Sequence, residues 1–158
     1  MTILRGVFCL FFLFGASAAV AETGNIPFSA NVPGTCTITA TSTGELQVDG
    51  TFQNLNSLAV PSTAKVVATS DDFSLSMDTP TLTRPVTDTT PLNSIGGAYH
   101  PVGHSGDNGH LVNRFDTDGP QSINRGTIDL NMFFFAGKTG SDIFTAGTYS
   151  ADVMLRCE

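Results

Sequence analysis

Apolar and polar residues alternate most regularly over the last stretch of the chain. After Gly147 one row reads Tyr149, Ala151, Val153, Leu155, Cys157, and the row between holds Thr148, Ser150, Asp152, Met154 and Arg156. Side chains on a strand point to opposite faces with period two, so the pattern predicts a strand with one buried face. Met154 is the single apolar residue on the wetter side. This strand is expected to be central, with the rest of the chain wrapped around it as an all-β sandwich.

Shorter runs of the same kind come earlier. Ile26–Val32 alternates Ile26, Phe28, Ala30 and Val32 inward, and Pro33-Gly34 then turns the chain. Cys36–Ala40 and Glu45–Val48 read as strands, the second closed by Asp49-Gly50, a two-residue turn signal. Ala64–Ala68 and Phe73–Met77 are expected to form a hairpin through Thr69–Asp72. Thr127–Phe135 shows two faces: Ile128, Leu130, Met132 and Phe134 on one, Asp129, Asn131, Phe133 and Phe135 on the other. Phe133 and Phe135 sit where a solvent-facing row should be polar, so a covering loop or an interface with another chain is expected there.

From about 78 to 126 the pattern fades among prolines and glycines. Short strands are expected within this long Gly/Pro-rich loop region, the best at Leu111–Phe115 and a weaker one at Leu82–Val86, with a mobile tip around Tyr99–Gly109. Helical periodicity and internal repeats are absent, and short strands between Gly/Pro/Asn turns predict a sandwich.

The first 21 residues are read as a signal peptide rather than as part of the fold. Arg5 precedes an apolar run, Val7–Phe14, and Ala19-Val20-Ala21 supplies a cleavage site. The run is too short for a comfortable membrane span. The mature chain, 22–158, is expected to be one soluble domain, secreted to the periplasm or cell surface of a bacterium, with no membrane insertion after cleavage. Losing Arg5, the only charged residue of the leader, takes the net charge from −7 to −8. An acidic surface argues against nucleic acid or an anionic membrane as partner. Cys9 leaves with the leader, and the two remaining cysteines, Cys36 and Cys157, are expected to pair in an oxidising compartment.

Two terminal stretches carry a family likeness. Gly24–Ile38, an alternating strand running into Cys36-Thr-Ile, resembles the opening of bacterial chaperone–usher fimbrial subunits. Ala146–Leu155, with Gly147-Thr-Tyr followed by alternation, is similar to the closing strand of such pilins and of the spore coat protein U group. The resemblance implies an immunoglobulin-like antiparallel sandwich lacking its final strand, whose open groove is filled by a periplasmic chaperone and then by a neighbouring subunit's strand. Tyr149, Ala151, Val153 and Leu155 would form one wall of that groove. An usher and neighbouring pilin-like subunits are the further partners implied, and the role would be structural or adhesive. Two features depart from the family pattern. The first cysteine has its only mature partner at the C-terminal strand, and only Glu22–Asn25 precede Ile26. Either Ile26–Val32 is itself the donated strand, or the subunit hands no strand onward.

Other chemistry has less behind it. His100, His104, His110 and Asp107 fall on one stretch, and imidazole suits Zn or Cu, so a self-contained sandwich binding a metal or small ligand there is the alternative reading. Asp116-Thr-Asp118-Gly119 resembles the start of a calcium loop, without the Glu that should close it. Ser105 lies in Gly-His-Ser-Gly, which is not a nucleophile elbow. No enzymatic activity and no cofactor are expected.

Overall fold

The computed structural model describes residues 29–30 and 32–158. The expected leader, and the Ile26–Val32 strand apart from Ser29, Ala30 and Val32, lie outside the described residues. Val32–Glu158 make up one compact unit. Its strands are β1 (Cys36–Ser42), β2 (Glu45–Val48), β3 (Asn54–Val60), β4 (Ser62–Ala68), β5 (Phe73–Met77), β6 (Thr81–Thr83), β7 (Ser94–His104), β8 (Arg114–Phe115), β9 (Gln121–Ile123), β10 (Gly126–Gly137), β11 (Ser150–Asp152) and β12 (Leu155–Cys157). Pairing is antiparallel throughout, and no helix occurs among the described residues.

β10 is the strand around which the larger sheet is built. One of its edges pairs with β7 along nearly its whole length, Ile128 opposite His104 and Gly137 opposite Ser94. The other edge takes two strands end to end, β4 against Gly126–Met132 and β3 against Phe135–Gly137. β1 adds outside β4, β2 outside β3, and β8 outside β7. Three short strands in the order β12-β5-β9, and the pair β11-β6, make the smaller sheets. Val66, Ile128, Leu130 and Tyr99 of the large sheet share one buried cluster with Leu75, Met77 and Ile123 of the small one. Each of these strands turns every second side chain into that cluster, so apolar residues at alternate positions suffice to fill it.

Several sequence expectations are corrected here. The C-terminal segment is at an edge of the described sheets, not at the centre: among the described residues β11 and β12 each have a strand on one side only. It is also two strands, passing from β6 to β5 as partner around Val153-Met154. The alternation is as expected, but Tyr149, Ala151, Val153, Leu155 and Cys157 are half-buried rather than buried. β4 and β5 are not a hairpin. They belong to different sheets, because Val66 and Leu75 meet across the core and the chain crosses between layers through Thr69–Asp72.

The expected mobile tip at Tyr99–Gly109 is largely strand. Tyr99 is only 1% exposed, in the core beside Met132. Beyond His104 the loop is held by Asn108, itself buried, whose Nδ2 donates to the Ser105 and Asn124 carbonyls at 3.1 and 2.9 Å and whose Oδ1 accepts from Asn124 N at 2.8 Å. β3, a strand with no counterpart in the sequence reading, hides its pattern because its inward row is Leu55 and Ser57. The Asp49-Gly50 turn is longer than two residues: it runs to Gln53 and puts Phe52 at φ 60°.

Candidate functional site: a groove between two strand edges

The Cys36–Cys157 disulfide forms as expected, with Cα atoms 6.1 Å apart. It ties the start of β1 to the end of β12. A groove of about 460 Å³ is lined by residues of both strands and of β11. Ile38, Ala40 and Leu46 stand on one side of it; Tyr149, Ala151, Val153 and Leu155 stand on the other; Ala64, Met132 and Phe134 lie beneath. All four expected wall residues are therefore brought together. Their half-burial has a plain cause, since the row faces this opening.

Backbone groups matter as much as side chains here. Among the described residues, β1, β11 and β12 are each hydrogen-bonded to a strand on one side only, so the groove runs between edges that no described strand pairs. An open edge of this kind is a template for another strand. On the outer side the segment is held down. Arg156 grips Asp78 with Nε and Nη2, at 2.8 and 2.6 Å, and that bond holds the Asp78 carboxyl below the usual carboxylate range.

The groove continues past Tyr149. A second hollow of about 290 Å³ lies beyond it, with Val48, Phe52, Leu55 and Phe144 around it, and Leu46 and Tyr149 border both spaces. Tyr149 is fixed at this junction. Its ring meets Phe144 edge-on at 5.5 Å, and its hydroxyl lies 2.9 Å from Asp88 Oδ2 and 3.0 Å from the Thr145 carbonyl. Burial, with the neighbouring carboxylate adding to it, pushes the phenol above its ordinary value.

Asp88 in turn meets Lys138 in a wholly buried ion pair. Burial alone would raise the Asp88 carboxyl, but the bonds from Lys138 and Tyr149 outweigh it and hold it low. The sequence reading missed this pair. Its signal was available: continuing the inward row Ile128, Leu130, Met132, Phe134, Ala136 by one step reaches Lys138.

The other expected sites fare differently. Phe133 and Phe135 do lie on the outer face of β10, half-buried. Phe135 rests against Gly96, where a Cβ would come within 2.5 Å of its ring, and Phe115 of β8 meets it edge-on with centroids 6.4 Å apart. The cover is partial, and it comes from a strand. The metal expectation at His100, His104, His110 and Asp107 is corrected: among the described residues no group of three or more His, Cys, Asp or Glu is placed to hold an ion. His100 stands on β7 opposite Asn131, whereas both ring nitrogens of His110 face backbone carbonyls, of Asp107 at 2.9 Å and Ser122 at 3.0 Å. Asp118 caps its own turn, accepting from Phe115 N at 2.8 Å, and Ser105 Oγ accepts from Thr127 N at 2.9 Å. Compared with protein-family models, curated proteins and solved structures, the chain matches none.

Proposed function

We propose that this chain is an exported structural or adhesive subunit of a fimbria-like surface assembly, and that its groove accepts a β-strand from another chain. On this reading the domain is an immunoglobulin-like sandwich that lacks one strand, and the missing strand belongs between β1 and the β11–β12 segment. The observation that carries it is the half-buried row Tyr149, Ala151, Val153, Leu155 facing a groove between two edges that no described strand pairs.

Strand addition explains why both features occur together. An incoming extended segment gains main-chain hydrogen bonds from the edge and specificity from apolar side chains seated at alternate positions. Ile26, Phe28, Ala30 and Val32 of this chain have the alternation such a segment requires. A periplasmic chaperone would cover the groove first, and an usher and neighbouring subunits would follow.

The test is a synthetic peptide spanning 24–33 added to the mature protein, alongside co-expression with a periplasmic chaperone. Binding to the native state raises the melting temperature with ligand concentration, by about 2.7 kcal/mol of stability at a hundredfold excess over Kd. The reading fails if the protein alone is monomeric and stable, and neither the peptide nor a chaperone changes its melting temperature or yield.

A further inference from the structure

One residue past β10, Lys138 continues that strand's inward row with a buried cation beside the Phe144 ring. The side chains of Lys138 and Asp88 are both fully shielded from solvent. Lys138 Nζ touches Asp88 Oδ1 and lies 2.6 Å from Thr90 Oγ1, 2.9 Å from the Ile143 carbonyl and 4.7 Å from the centroid of the Phe144 ring. The other carboxylate oxygen, Oδ2, has the Tyr149 hydroxyl at 2.9 Å. Desolvating two charges costs free energy that their mutual attraction repays only in part. A neutral product would remove that cost, and two groups locked in contact react as though at very high concentration.

We infer that Lys138 and Asp88 condense into an intramolecular amide, a covalent side-chain link between β10 and the β6–β7 loop. Nζ bonds to Asp88 Cγ, and the Cγ–Oδ1 bond breaks. Two of the three ammonium protons leave with Oδ1 as one water molecule, so the pair is neutral before and after, and nothing is oxidised or reduced. The first proton passes to the adjoining Oδ1, which frees the amine to attack. As Cγ becomes tetrahedral, negative charge gathers on Oδ2, where the Tyr149 hydroxyl donates. In the product Oδ2 keeps that bond, and the remaining N–H keeps the Ile143 carbonyl. The link would fasten a loop that has no strand pairing between Thr83 and Ser94.

Intact mass spectrometry of the folded mature protein tests it. The expected mass is one water below that of the disulfide-bonded sequence, with trypsin failing to cut after Lys138 and fragmentation yielding a branched peptide through Asp88. Lys138→Arg, which keeps the ion pair and cannot condense, should show the full mass. Tyr149→Phe should accumulate the linked form more slowly, and equal rates would remove Tyr149 from the chemistry. Full mass in the folded wild type, with Lys138 open to acylation after unfolding, overturns the inference. So does a water loss that maps to Asp49-Gly50 or Asp118-Gly119, where an aspartate can cyclise onto its own backbone.

Discussion

Cys36 and Cys157 join β1 and β12, two strands whose residues Ile38 and Leu155 both line the groove. The covalent tie and the candidate binding surface are thus one unit. The bridge spans 121 residues of sequence, and on the chain-entropy treatment a loop that long is worth about 4–5 kcal/mol. The double variant Cys36→Ala/Cys157→Ala should lose most of that, read as a lower urea midpoint at unchanged slope.

Core and groove substitutions should separate. Leu130→Ala, at a site 1% exposed in the middle of β10, should cost about 2–5 kcal/mol in the isolated domain. Ala151→Asp places a charge in the half-open groove, where water still reaches it. It should leave the melting temperature nearly unchanged and abolish binding of a 24–33 peptide, measured by calorimetry.

Acid should weaken the fold in a defined window. Asn54, through its side chain, together with Thr51 and the backbone of Gln53, holds the Asp49 carboxyl down from 3.8 to about 2. Asp78 is lowered too, by Arg156. A carboxyl depressed in the folded state contributes stability above its unfolded value, and that contribution is lost as pH falls through the folded one. Urea midpoints should therefore hold down to about pH 4 and fall between there and pH 2. Asp49→Asn should make that fall shallower.

Phe52 is 56% exposed and sits at φ 60°, a left-handed conformation that costs a non-glycine residue roughly 1–2 kcal/mol. Asparagine tolerates that region better. Phe52→Asn should be neutral or raise the melting temperature by a few degrees in a thermal scan.

Strands whose inward row is wholly apolar were readable in advance: β10, β4, β5 and the C-terminal row all have the faces their alternation implies. Local breakers misled the reading of β7. Gly96, Gly97 and Pro101 look like a loop, yet Gly96 is needed because Phe135 lies against it and Gly97 because Pro80 does. Those contacts come from residues far off in sequence, so no local window contains the reason. Pro101 is tolerated beside a shift of register between Asp129 and Leu130. The same limit hid sheet membership: adjacency suggested that β4 and β5 pair, but only the distant strands β10 and β9 decide where each belongs. The row Tyr149, Ala151, Val153, Leu155 was legible from period, but its place along a groove came only from the family resemblance, and the opposite wall, β1 and Leu46, was not foreseen.

β10 has consequences for how the molecule comes into being. β1, β2, β3, β4 and β7 all precede it in the chain, and the larger sheet has no spine until residues 126–137 arrive. Synthesis from the N-terminus therefore delivers most of this sheet before anything can organise it. Folding of so non-local a topology runs in milliseconds to seconds rather than microseconds. During that delay the exposed strands invite aggregation.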